Sequence, residues 1–203
     1  MGHIAPDWRP PHLIAMTSTH IASRDALPDH MRILLRDYPR EAWPDHPNFA
    51  RSIENWMGAH SMFRQLGELC KTETERFLDG NRDVPDYAAR LGHYGHLLVA
   101  NLHGHHTWED RSYFPELLAA DPRFGEGLEM LEGDHVELDG VLDGFTRSAN
   151  SVIQLAQLDP GQVKDHAADV HAASETIEGF LERHLADEED LVVPILLHHK
   201  MRG

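Results

Sequence analysis

Two phrases of the chain pair a histidine with a carboxylate one helical turn later. His105 is followed by Glu109 and Asp110, and His184 by Glu188 and Glu189; a proline, Pro115 or Pro194, stands six residues beyond each glutamate. Positions i and i+4 of a helix share a face, so each phrase offers one nitrogen and one oxygen donor in the same direction. Seventeen histidines in 203 residues, not gathered at a terminus, call for metal binding or proton transfer. The single cysteine, Cys70, excludes an internal disulfide and a thiolate zinc site, so any metal is held by nitrogen and oxygen.

Helices must carry these donors. After Pro47 apolar residues recur at three- and four-residue spacing for the rest of the chain, with almost no β-branched alternation. Asp79-Gly80-Asn81 supplies a helix stop, and Asp83 with Pro85, Asp121-Pro122 and Asp159-Pro160 each supply a cap ahead of a first-turn proline. These signals predict helices over 47–79, 85–119, 122–158 and 160–199, each about 50 Å long at ~1.5 Å per residue. The predicted fold is all-α, an antiparallel up-down-up-down four-helix bundle in 47–203. Pro115 and Pro194 are expected to kink or end their helices. Seven of the twelve prolines fall within the first 47 residues. Residues 1–46 therefore read as a Pro-rich arm with one short helix around Leu27 to Arg36, pinned by Trp8, Trp43 and the Ile33/Leu34/Leu35 cluster.

In an antiparallel bundle, residues lie level when they are equidistant from the turn between them. The midpoint of His60 and His105 falls between Arg82 and Asp83, that of His105 and His135 at Ala120, and that of His135 and His184 between Asp159 and Pro160. All three midpoints coincide with assigned turns. Four histidines, one per helix, thus form a layer, with Glu109 and Glu188 one turn away. Apolar neighbours (Trp56 and Phe63 around His60, Leu131 and Leu138 around His135, Phe180 and Leu181 around His184) turn this layer inward. Buried glutamates need an opposite charge, and Arg64 is the only cation that the spacing puts at these levels. Four imidazoles and two carboxylates exceed one tetrahedral zinc and suit iron, manganese or two bridged metals. The bland alternative is a set of hydrogen-bonded core histidines with solvated glutamates.

Glu189 and Asp110 are rival oxygen donors, but i+4 lies nearer the histidine face than i+5. His103 and His106 flank His105 and read as outer or surface residues; His93, His96, His166 and His171 read as surface. Tyr113 and Trp108 read as packing, with a redox or hydrogen-bonding role open for Tyr113. Cys70 reads as buried filler. The paired Glu-x-x-His of ferritin-like bundles is not met, since only Glu132 and His135 fit it. A net charge of −16 repels phosphate backbones and anionic lipid, so neither nucleic acid nor membrane is an expected partner. His12 to Met16 is too short an apolar run for a signal peptide, and the expected location is the cytoplasm.

The order His60, His105-x3-Glu109, His135, His184-x3-Glu188 resembles the hemerythrin-like (HHE cation-binding) family, over about residues 47–199. The resemblance implies two non-heme irons bridged by an oxo or hydroxo group, with zinc or manganese as alternatives. It makes the four histidines terminal ligands and Glu109 and Glu188 bridges, with no catalytic residue beyond the ligands. Oxygen-carrying members have a second histidine four residues after the third-helix ligand. Here that position is Asp139, so a nitrogen ligand is expected to be missing. The implied function is binding or redox chemistry of O2, NO or peroxide in oxidative or nitrosative stress or iron homeostasis, with turnover left open. A sensor or iron-binding module without turnover and a structural zinc bundle are the alternatives. The arm has no cysteine, unlike the N-terminal domain common in cluster-repair relatives, and a protein partner or a dimer through the arm remains open.

Overall fold

Short turns with strong stop signals set the helix boundaries. In a computed structural model, which describes residues 20–201, the long helices are α1 (Arg51–Leu78), α2 (Val84–Trp108), α4 (Gly125–Leu158) and α5 (Val163–His199), with a short α3 (Phe114–Ala120) between α2 and α4. There is no strand among the described residues. α1 ends in a Schellman turn: Gly80 takes φ 77°, Gly80 N–H reaches Phe77 O at 3.0 Å and Asn81 N–H reaches Arg76 O at 2.8 Å. The Asp83 carboxylate accepts the Asp86 N–H at 2.9 Å and caps α2.

α1 packs on α2 and α5, and α4 packs on the same two helices, so the four enclose one interior. Along the first pair, His60 meets His105 near one end and Phe77 stacks on Tyr87 near the other. Two apolar clusters fill the interior. One is built on Phe63, Leu98, Leu138, Phe145 and Leu181; the other holds Trp56, Phe114, Leu131 and Leu191. Between them lies a layer of buried polar side chains.

The two prolines act differently. Pro115 has no N–H for the Arg111 carbonyl, and the chain around it opens into a π-helical turn over Glu109–Tyr113, closed by Phe114 N–H on Glu109 O. α2 therefore ends at Trp108, before the predicted 119. Pro194 neither ends nor breaks α5, which runs on to His199. All seven residues Leu191–Leu197 are buried, so this stretch is enclosed on every side.

The N-terminal segment supplies the missing cover. Leu27, Met31, Leu34 and Trp43 are buried in the second cluster. The short helix expected at Leu27–Arg36 is instead a run of turns (Met31 N–H to Pro28 O at 2.9 Å, Tyr38 N–H to Leu34 O at 3.0 Å), with 3-10 turns at Ile21–Ser23 and Arg40–Ala42. Helix nucleation is costly over so few residues, and burial of three apolar side chains holds the path without it. Of the expected pins, Trp43 and Leu34 are buried, Leu35 is half-buried and Ile33 is exposed. Trp8, Pro6, Pro10, Pro11 and the His12–Met16 run lie outside the described residues. No helix among the described residues is long and apolar enough to cross a membrane.

Candidate metal centre

The layer holds two adjoining groups of donor atoms. His60, His105, Glu109 and Glu188 form one and His106, His135 and His184 the other, the donor atoms of each lying within 4.8 Å of one another. All six residues singled out by spacing are therefore present in the layer. The seventh, His106, is not a surface residue: it is 3% exposed.

In the first group His60 Nε2 lies 3.1 Å from His105 Nε2 and 3.4 Å from Glu188 Oε2, and His105 Nε2 lies 2.9 Å from Glu109 Oε1. Trp56 Nε1–H donates to the same Glu109 oxygen at 2.8 Å. In the second group His135 Nε2 and His184 Nε2 are 3.2 Å apart, and the His106 ring stacks on His135. Glu109 Oε2 lies 3.9 Å from His135 Nε2, and Glu188 Oε2 lies 3.9 Å from His184 Nε2. The two carboxylates thus stand between the groups. His105 is the one donor with a partly open side chain, 10% exposed, so the layer meets solvent at this ring.

The i+5 carboxylates have a different place. Glu189 Oε1 accepts from His60 Nδ1 at 3.1 Å, and Asp110 Oδ1 from His135 Nδ1 at 2.7 Å. On α4, Asp134 Oδ2 accepts from His184 Nδ1 at 3.2 Å. Each of these rings gives its Nδ1–H away, which leaves its Nε2 as an acceptor aimed inward. His135 and His184 consequently face each other with two lone pairs at 3.2 Å, an arrangement that a cation between them resolves.

Electrostatics makes the same demand. Burial raises the Glu109 carboxyl, but His105 beside it more than reverses this and holds it down at about 2. Glu188, fully buried, is pushed well above the ordinary carboxylate range by desolvation and by the Glu109 charge. Burial and the neighbouring His135 lower His184 and His106, and burial lowers His60 against the pull of Glu189. Both Glu188 oxygens, Glu109 Oε2 and both His106 ring nitrogens are buried without a hydrogen-bond partner. Neutral imidazoles, anionic oxygens and orphaned donor atoms converging on two small spaces are what bound cations require. The residues fit a pair of metal ions.

The sequence pattern of the Hemerythrin HHE cation binding domain matches residues 51–196, well over half of the chain. The chain belongs to this family. No curated protein and no solved structure matches it. As a hemerythrin-like domain it is a cation binder, and the match spans every residue of both donor groups.

Two sequence readings bear on the hemerythrin-like layer. Asp139 is exposed, 3.7 Å from His103 on the surface, so α4 supplies no second donor four residues after His135. The third imidazole of that donor group belongs to His106 of α2. The second concerns Arg64, expected as the only cation near this level. Arg40 of the N-terminal segment also holds Glu189, with Nη1 on Oε2 at 2.8 Å, and Arg24 holds Asp134. Tyr113 is buried, stacked on Trp108 with ring centroids 4.6 Å apart, and its hydroxyl has no partner. Cys70 is buried away from the layer, its thiol pushed up to about 12 by desolvation, which suits packing rather than reaction.

Proposed function

We propose that this hemerythrin-like chain holds two non-heme irons and uses them to bind or reduce a small oxidant, O2, NO or peroxide, in stress defence or iron homeostasis. His60, His105, Glu109 and Glu188 would hold one iron and His106, His135 and His184 the other, with Glu109 and Glu188 reaching both. The observation that carries this reading is the set of three orphaned carboxylate oxygens, Glu109 Oε2 and both of Glu188, between two groups of inward-facing imidazoles. A pair of irons supplies two electrons at one place, which a single ion does not. The chain's own residues do the rest. Carboxylate charge offsets the cations, outer carboxylates keep the histidine rings in register, and the apolar clusters on either side keep bulk water out. The Tyr113 hydroxyl, pushed up by burial and then by the Glu188 and Glu109 charges, is a proton donor with no hydrogen-bond partner.

The reading includes an up-down-up-down bundle, a division into an arm (1–46) and a bundle (47–203), and a cytoplasmic setting. A second reading, an iron-responsive module without turnover, is favoured by one observation: the N-terminal segment touches carboxylates that hold the histidines. Metal analysis with an aerobic absorption spectrum tests both. About two irons per chain with near-ultraviolet bands of a bridged ferric pair support the proposal; one zinc per chain, or none of either metal with the fold intact, overturns it. Consumption of peroxide or NO by the loaded protein then separates the first reading from the second.

A further inference from the structure

Two of the three ring-holding carboxylates, Asp134 and Glu189, are themselves held by the N-terminal segment. Arg24 reaches Asp134 with Nη1 on Oδ1 at 3.3 Å and Nη2 on Oδ2 at 2.5 Å, and its Nε donates to Asp187 Oδ2 at 2.7 Å. This guanidinium is almost wholly buried, a costly place for a charge unless both anions are fixed around it. Arg40 grips Glu189 Oε2 at 2.8 Å, Asp190 Oδ1 at 2.5 Å and the Ala186 carbonyl at 2.7 Å, and lies over the Trp43 ring. Arg64 adds a weaker contact to Glu189 at 3.2 Å. Two chains of contact therefore run from the segment to the layer: Arg24 to Asp134 to His184 Nδ1, and Arg40 to Glu189 to His60 Nδ1.

We propose that Arg24 and Arg40 are positioning residues of the metal centre, fixing the rings of His184 and His60 through Asp134 and Glu189, so that the N-terminal segment is part of the metal's outer sphere. This rests on the metal-binding reading above. One ring in each donor group is tied this way, so each of the two ions has one imidazole whose orientation depends on the segment. The partners of such outer carboxylates matter because a carboxylate free to turn no longer fixes the Nδ1–H form of its histidine. Asp187 provides the contrast. It is bound by Arg24 and Arg183 and touches no histidine, and Arg183 also donates to the Asp25 carbonyl. Arg183 thus fastens the same segment without touching a ring-holding carboxylate.

The test compares Arg24→Gln and Arg40→Gln with Arg183→Gln in the full chain, with helicity checked by circular dichroism. Arg40 is partly exposed, so its variant keeps the comparison alive if Arg24→Gln does not fold. Cobalt(II)-loaded protein is challenged with excess chelator while its visible ligand-field bands are followed. The expected result is about 10- to 100-fold faster cobalt release and altered bands for the two arm variants, with Arg183→Gln like the parent. Release at the parent rate in Arg40→Gln, or equally fast release from Arg183→Gln, overturns the proposal, the latter because it makes these arginines mere fasteners. Nitrogen-15 spectra of the metal-free proteins give a readout that needs no metal. The parent should show Nδ1–H forms for His60 and His184, and each arm variant a mixed form for its own histidine; unchanged spectra in folded variants overturn the proposal. If the parent takes up fewer than two cobalt ions, the two-metal reading fails, and these spectra still judge the clamps separately.

Discussion

The His106 ring lies flat on His135, with centroids 4.0 Å apart and planes within 9°. Consecutive residues on a helix point about 100° apart, so His105 and His106 cannot serve one ion from one face. They can serve two. His105 turns to His60 across α1, while His106 turns to α4 and α5. A single dipeptide thus feeds both donor groups. Replacing His106 by Gln should lower bound metal from about two ions per chain to about one, with helicity kept. Asp139→Asn should leave the content unchanged. Elemental analysis of the purified variants decides, and two full equivalents in His106→Gln would sink the role given to this ring.

The metal-free chain should lose stability in mild acid. His60, His106 and His184 are all lowered by burial from 6.5, so below that pH the unfolded chain binds protons that the fold refuses. Each contributes stability that is present in full above 6.5 and is lost, at up to about 1.4 kcal/mol per pH unit, as pH falls beneath it. Glu188 acts in the opposite sense. Its raised value means that the fold keeps a proton which the unfolded chain gives up above 4.5, so its effect erodes stability as pH rises. Glu132, Asp134 and Asp190 are raised by burial too and oppose the histidines near the ordinary carboxylate range, so the net gain is expected in the upper part of the window, towards 6.5, where the three histidines outweigh Glu188. Urea midpoints at pH 5 and 6.5 check the sign; equal midpoints in the two buffers contradict it.

Glu188→Gln should separate folding from loading. A neutral amide removes the cost of holding a buried, unpartnered carboxyl protonated beside Glu109, so the metal-free variant is expected to be as stable as the parent or more so. Its metal content should fall. Thermal unfolding with and without added iron or cobalt provides the measurement, the expected sign being a smaller metal-induced rise in melting temperature for the variant. An undiminished rise would remove Glu188 from the set of donors.

Trp56→Phe keeps the apolar body of the side chain and deletes the N–H that donates to Glu109 Oε1 at 2.8 Å. The variant should still take up two ions, bound about 10-fold or more weakly, because one oxygen of a central carboxylate loses the donor that holds it. Competition with a chromophoric chelator reads this out directly.

Close helix approach next to the layer rests on Gly127 of α4, where an added Cβ would come within 2.9 Å of the Leu191 side chain on α5. Gly127→Ala should destabilise by about 1–3 kcal/mol through overpacking. Gly140, in the same helix, has nothing within 4 Å of such a Cβ. Gly140→Ala should stabilise by about 0.5–1 kcal/mol through helix propensity. Opposite shifts in denaturant midpoint are expected, and shifts of the same sign would refute the packing argument.

Much of the site was legible in the sequence because antiparallel helices convert spacing into height. The midpoints of His60, His105, His135 and His184 needed only turn positions, and turns are marked by Asp-Pro and Gly signals. Glu188 was separable from Glu189 for a similar reason, since 40° and 140° from the histidine direction are different sides of a helix. His106 is not legible in the same way, because distance from the turns gives one height per helix while the layer holds two donor groups. The signal available was the His105-His106 pair itself. Arg24 and Arg40 were not legible. No periodicity governs a segment of turns, so nothing in the residue pattern gives its height on the bundle. A hint was present in Leu191-Val192-Val193-Pro194-Ile195-Leu196-Leu197, a run too apolar all round for a helix with one face in water.

The Arg24 to Asp187 contact joins residues 163 positions apart. The segment carrying Arg24 precedes every long helix, whereas α5, on which it sits, follows all the others. Loop closure over such a length is slow and entropically costly, and it can begin only after α5 has been translated. Ordered assembly follows. A nascent chain with α1, α2 and α4 complete still lacks His184, Glu188 and the Asp187 and Glu189 partners of Arg24 and Arg40. Both donor groups are complete only once α5 is in place, because each takes one residue from it.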